Sequence, residues 1–190
     1  MDEQHKSIYY PPGGILIWFL IILEIFTFLG GIMVFLNYRT KELTLFQETQ
    51  QQLNPLIGTI NTIVLIISGY FIANSIHFIK NRENKKAARS ILISLLLGVT
   101  FLIIKSAEYY AKMEQGIGFS DNTFFTFYWM MTGFHFIHVL FGIGLLTYMY
   151  IGINKNTYHS ENYFDVESSA TYWHLCDLIW ILIFPIFYLI

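Results

Sequence analysis

The sequence predicts an all-α integral membrane protein, a bundle of five transmembrane helices, and three observations predict it. The chain is 55% hydrophobic and 13% charged, with a mean hydropathy of +0.50, far from a soluble domain. Five apolar runs, each near or above the roughly 20 residues one bilayer crossing needs, alternate with short polar connections. A single basic cluster, Lys80 to Arg89, lies between the second and third runs and gives the bundle a polarity. The expected spans are residues 14–36, 55–79, 90–111, 122–153 and 166–190, and residues 1–190 are expected to form one membrane domain without a separate catalytic head.

The opening residues 1–12 carry Asp2, Glu3 and Lys6, unlike the short basic start of a cleavable signal peptide, so the first apolar run is expected to be retained as a helix. One acid, Glu24, interrupts it. A carboxylate at that depth costs roughly 2.5 to 3.5 kcal/mol on the insertion scale, so Glu24 is expected to be a buried carboxyl facing the bundle. It serves either proton or lipid chemistry or a hydrogen bond to a neighbouring helix. The following loop, with Arg39, Lys41, Glu42 and several glutamines, reads as a solvated link with some helical character.

Pro55 starts the second span where its missing N–H does no harm. Asn61, Thr62, Ser68 and Asn74, together with Gly58, Gly69 and Ala73, suit close helix packing and interhelical hydrogen bonds. The basic cluster reads as a cytoplasmic loop rather than a nucleic-acid surface. With Lys6 and Lys155 on the same side, it predicts a cytoplasmic amino terminus and an outside carboxyl terminus. The third span ends in Lys105, Ser106, Ala107, Glu108, Tyr109 and Tyr110, with Lys105 and Glu108 spaced to pair.

The fourth span exceeds one crossing and should tilt or protrude. It carries His135 and His138 in an apolar run. The fifth aligns Glu167, Ala170, His174 and Asp177 on one stripe, which is expected to meet other polar groups, with Glu24, Glu108, His135 and His138 as candidates. Two readings of these residues remain open: a buried polar network, or a membrane metal site built on His135, His138 and His174 with Glu108 and Glu167 nearby. The HxxH pair lacks the HExxH helix of zinc hydrolases, the paired ExxH helices of di-iron bundles and a CxxCH haem attachment. Cys176 is the only cysteine, so an intrachain disulfide is excluded and a packing role expected. No Ser lies in a GxSxG elbow. An independent proton-coupled carrier is a third class the residues allow.

Several motifs then stand in a familiar order: Asn61, Thr62, Leu65, Ser68, Gly69; Ser106, Ala107, Glu108, Tyr109, Tyr110; Thr132, Gly133, Phe134, His135, His138, Val139, Gly142; and Glu167, Ala170, Tyr172, Trp173, His174, Asp177, Trp180. Glu24 with Phe26 and Phe28 precedes them. Over nearly its whole length the chain resembles subunit III of the haem-copper oxidases, the cytochrome c oxidase subunit III family, in a short five-helix form.

The resemblance implies a non-catalytic accessory subunit of a respiratory terminal oxidase. It stabilises the haem- and copper-bearing subunit I and supports proton uptake in aerobic electron transport and proton translocation. No cofactor is implied in this chain; haem and copper belong to partner subunits, with subunit II and other respiratory subunits alongside, in a bacterial cytoplasmic membrane. Glu24 would match the family's buried carboxyl, and Glu108, His135, His138, Glu167, His174 and Asp177 its internal polar network.

Longer relatives in that family have seven helices, and the resemblance leads us to expect this chain without the first two, so the cleft in which the family binds phospholipid would be built differently or be absent. A basic residue common near the inner end of the fourth span is Gly152 here, with Lys155 as a candidate lipid-headgroup contact. Five-helix relatives also accompany nitric oxide reductases, which makes nitric oxide the alternative acceptor.

Overall fold

The computed structural model describes residues 11–190; His5 and Lys6, the latter used in the orientation argument, lie outside them. Six helices account for most of the described chain: α1 (Ile15–Lys41), α2 (Leu43–Gln50), α3 (Pro55–Lys80), α4 (Asn84–Glu114), α5 (Thr123–Asn154) and α6 (Phe164–Tyr188). Five of them, all but α2, are long and apolar enough to cross a bilayer. Asn54 caps α3, its side chain accepting from the Leu56 N–H at 3.0 Å with Pro55 just inside the helix. Asn122 caps α5 in the same way, accepting from the Phe125 N–H at 2.9 Å.

Helix α3 packs along α4, α4 along α5, α5 along α6, and α6 back along α3, so four helices close a ring; α1 lies against α5 and α6. The short connections make sequential spans antiparallel; Ser68 meets Ser94 between α3 and α4, and Gly142 meets Trp173 between α5 and α6. The outer surface is apolar. On α1 alone Leu16, Phe19, Phe26 and Met33 are exposed, a surface suited to acyl chains and to nothing aqueous.

The most enclosed span is α6, and its two inner tryptophans tie the ring together. Trp173 is fully buried and packs against two glycines: a Cβ on Gly98 would come within 2.5 Å of Trp173 Cη2, and one on Gly142 within 2.8 Å of its Cε3. Small residues on α4 and α5 thus make room for one large side chain from α6. The Trp173 indole N–H donates to Ser68 Oγ at 3.0 Å, and Ser68 donates to the Ser94 carbonyl at 2.9 Å. Two turns further on, Trp180 donates to Thr62 Oγ1 at 2.9 Å and meets Phe101 edge-on, ring centroids 4.9 Å apart.

The polar link after α1 has the expected helical character but is less solvated than the sequence suggests. It folds into α2, whose Phe46 and Thr49 are buried. Phe46 joins an aromatic cluster with Phe35 (centroids 5.1 Å apart) and Phe124 (5.6 Å), which anchors the link to the ends of α1 and α5. At the opposite end of the bundle Tyr158 packs under Gly152 and donates to Asp165 at 3.3 Å. Burial, with Tyr148 and Asp165 alongside, raises its phenol above the ordinary tyrosine range and keeps it a neutral donor.

The glycine contacts yield a direct test. Gly98→Ala forces Trp173 to move and should destabilise the protein by about 1 to 3 kcal/mol, the usual range for overpacking. Gly144→Ala, where a Cβ meets nothing within 4 Å, should show no such loss. Thermal unfolding of both variants in mild detergent, followed by circular dichroism, measures the difference.

Candidate functional site

The polar residues at membrane depth fall into separate groupings, each tying particular helices. The most enclosed centres on Lys105 of α4, which is 1% exposed. Lys105 and Glu108 are three residues apart and therefore share a face of α4; Nζ donates to Glu108 Oε2 at 3.1 Å. It also donates to the Tyr128 hydroxyl of α5 at 3.0 Å and the Tyr188 hydroxyl of α6 at 2.6 Å. Both hydroxyls in turn donate to Glu108 Oε1, at 2.8 and 2.6 Å.

The arrangement is closed: three ammonium donors have three acceptors, and each tyrosine accepts from the cation while donating to the anion. The rings of Tyr109, Tyr128, Trp180 and Tyr188 stand 4.7 to 5.4 Å from Nζ, adding cation–π attraction. Of this group the sequence pointed to Glu108 and, by its spacing, to Lys105 as its partner. Nothing local pointed to Tyr128 or Tyr188, which come from other helices.

The two histidines of α5 part company. Three residues advance a helix by about 300°, leaving them about 60° apart around its axis. His138 turns towards α1, its Nε2 3.4 Å from Glu24 Oε2, both side chains largely buried. Its Nδ1 lies 2.8 Å from the Phe134 carbonyl. A carbonyl can only accept, so Nδ1 carries the proton and Nε2 faces the acid. His135 turns into the ring and is fully buried, stacked on Trp180 (centroids 5.3 Å apart) and edge-on to Phe101 at 5.7 Å. Neither of its nitrogens has a hydrogen-bond partner among the described residues, and the same holds for both amide atoms of Asn61.

The α6 stripe is also divided. Glu167 sits near the start of the helix, 3.7 Å from Lys80 Nζ, with its Oε2 accepting from the Gly13 N–H at 3.4 Å. His174 Nδ1 lies 3.5 Å from Asp177 Oδ2, and both side chains rest on Gly69 of α3. Glu167 and Asp177 are ten residues apart, roughly 15 Å along a helix, so they meet different neighbours. The single network expected of Glu108, His135, His138, Glu167, His174 and Asp177 is therefore a set of separate pairings, with His135 in an aromatic stack.

Among the described residues no three His, Cys, Asp or Glu side chains come together as a metal site would require. His135, His138 and His174 each have different neighbours. Lys155, at the end of α5, is exposed. Cys176 is buried among apolar residues.

The Lys105 cluster makes a prediction about stability. Lys105→Met leaves Glu108 buried without its countercharge and should cost about 3 to 5 kcal/mol. The double variant Lys105→Met/Glu108→Gln removes both charges and should cost less than either single change. Equilibrium unfolding of the three variants in mixed micelles gives the coupling energy.

The family described as Cytochrome c oxidase subunit III matches residues 13–190. The cytochrome c oxidase subunit 3 of Rhipicephalus sanguineus is 38% identical over 137 residues, 71% of this chain and 52% of that protein. That of Oryctolagus cuniculus is 32% identical over 137 residues, 72% of this chain and 51% of its own length. The Synechocystis sp. protein of the same name is 30% identical over 171 residues, 90% of this chain and 72% of the relative. The chain thus spans about half the length of the animal relatives. The match runs through every span, from the start of α1 to the end of α6, and on that ground the chain belongs to the cytochrome c oxidase subunit III family.

Proposed function

We propose that this chain is the non-catalytic subunit III of a respiratory haem-copper terminal oxidase, working beside a catalytic subunit that holds haem and copper. The observation that carries the reading is the family match over residues 13–190, laid on a bundle in which Lys105 pairs with Glu108, Glu24 with His138, and His135 packs against rings. Such a chain offers a rigid face to a neighbour. Its contribution is mechanical and electrostatic: it braces the catalytic subunit and supports proton uptake there.

Orientation follows from charge. The α3–α4 turn and the α5–α6 connection share one end, where Arg82 and Glu161 stand 3.4 Å apart, and that end holds the basic cluster and Lys155. The positive-inside bias then places it in the cytoplasm, with the carboxyl terminus outside, in a bacterial cytoplasmic membrane. Exposed Lys155 sits at the level where it meets phospholipid headgroups. The Glu24–His138 pair, between α1 and α5, is the buried carboxyl of the reading. Subunits I and II are the partners, and phospholipid fills the crevices of the outer surface. Reduction of nitric oxide in place of oxygen is the second reading, since five-helix relatives accompany both types of enzyme.

Purification of the affinity-tagged chain from its own membranes in mild detergent tests the assignment. A haem-bearing subunit should co-purify, and the preparation should consume oxygen. Consumption of nitric oxide but not oxygen would shift the assignment to the second reading; a chain recovered free of any haem protein would overturn both.

A further inference from the structure

The outward face of α6 carries a polar group at a depth where lipid cannot serve it. Helix α6 runs Phe164–Tyr188, so its centre falls at Cys176, and His174 and Asp177 flank that centre. Gly69, against which both rest, is close to the centre of α3 (Pro55–Lys80). The two helices agree, and the pair lies near the bilayer midplane. Headgroups stand about 15 Å away on either side, half the thickness of the hydrocarbon core.

Asp177 is largely enclosed, 8% exposed, and its Oδ1 has no hydrogen-bond partner among the described residues. The His174 side chain, by contrast, is 46% exposed. Its Nδ1 lies 3.5 Å from Asp177 Oδ2, and its Nδ1–Cε1 edge lies on Gly69, 3.3 and 3.4 Å from where a Cβ would stand. Nε2 has no hydrogen-bond partner among the described residues, and nearly half of the side chain is uncovered. Beside it on the same stripe are exposed Leu178 and Ile181, four and seven residues on.

An imidazole nitrogen left in hydrocarbon costs several kcal/mol, and acyl chains have nothing with which to answer it. With Nδ1–H directed at the Asp177 carboxylate, Nε2 presents a lone pair and requires a donor. We infer that the α6 stripe of His174, Leu178 and Ile181 is a docking surface for a transmembrane helix of another subunit, one that sets a hydrogen-bond donor against His174 Nε2. The apolar pair supplies packing on one side of the contact, and the imidazole sets the register of the partner helix. Asp177 acts as a positioning residue, holding the ring through Nδ1 and leaving Nε2 for the partner. Glycine at position 69 lets both side chains seat this deeply, because a Cβ there would collide with the Asp177 carboxylate.

The inference rests on the chain being a subunit of an oxidase, and the test separates the two. A photo-crosslinking residue replaces Leu178 in the full chain, with a second replacing Ile137, an exposed residue of α5, as the lipid-facing control. Each variant is irradiated in native membranes, and the adducts are identified by mass spectrometry after purification of the complex. Leu178 should cross-link to a transmembrane segment of a different subunit, and Ile137 predominantly to lipid.

Co-purification with a haem protein but only lipid adducts at Leu178 would overturn this inference and leave the subunit assignment standing. Adducts to a second copy of this chain would overturn the choice of occupant. Failure to co-purify with any haem protein would defeat the assignment itself. In parallel, His174→Leu should reduce the fraction of chain retained in the complex after mild detergent by roughly tenfold, on the scale of one hydrogen bond in a dry interface. His174→Gln, which retains an acceptor, should hold at least half of it.

Discussion

A bilayer core offers no water, so every polar group placed there must be answered by protein, and the architecture of this bundle follows from that constraint. The answers are mostly interhelical. Trp173 reaches from α6 to Ser68 on α3, which reaches on to Ser94 on α4; Trp180 reaches from α6 to Thr62 on α3; and Lys105 on α4 is held by tyrosines of α5 and α6. Because apolar side chains are as content in lipid as in protein, close packing and these bonds hold the helices together. Gly98 and Gly142 provide the closeness, each leaving space that the Trp173 ring fills.

The same constraint explains why the polar residues scatter. A single large network would have to bring ionisable groups from both ends and the middle of the bundle to one point, while a helix separates them by about 1.5 Å for each residue. Local pairing costs less. Lys105 with Glu108, Glu24 with His138, Glu167 with Lys80 and His174 with Asp177 each lie at their own level. The one imidazole turned wholly inward, His135, is accommodated as an aromatic ring between Trp180 and Phe101.

The spans were legible because their signals are local. Apolar length, Pro55 at a helix start and polar connections gave all five spans, and α3 and α5 match the expected bounds to within a residue at each end. The widest disagreements are at α1 and α4, which continue past the hydrocarbon-length run through residues such as Tyr38 and Ala87 that suit helix without being strongly apolar. The burial of α2 depended on Phe46 finding Phe35 and Phe124, a contact between distant segments. The pairing of Lys105 with Glu108 was readable from spacing; Tyr128 and Tyr188 were not, since helix rotation, which sequence periodicity left undetermined in runs apolar all round, decides which residues face the centre. His135 and His138 are three residues apart, and a divergence of about 60° around α5 suffices to give one ring to Trp180 and the other to Glu24.

These placements bear on function because they commit the histidines to other work: His135 to packing, His138 to Glu24 and His174 to Asp177. The central claim, that redox chemistry belongs to a neighbouring subunit, is most directly tested by haem and metal accounting on the purified complex before and after this chain is stripped away by detergent. The account predicts that haem and copper remain with the residual complex in unchanged stoichiometry, and that the released chain carries neither. Stoichiometric haem, copper, iron or zinc leaving with the chain would contradict it.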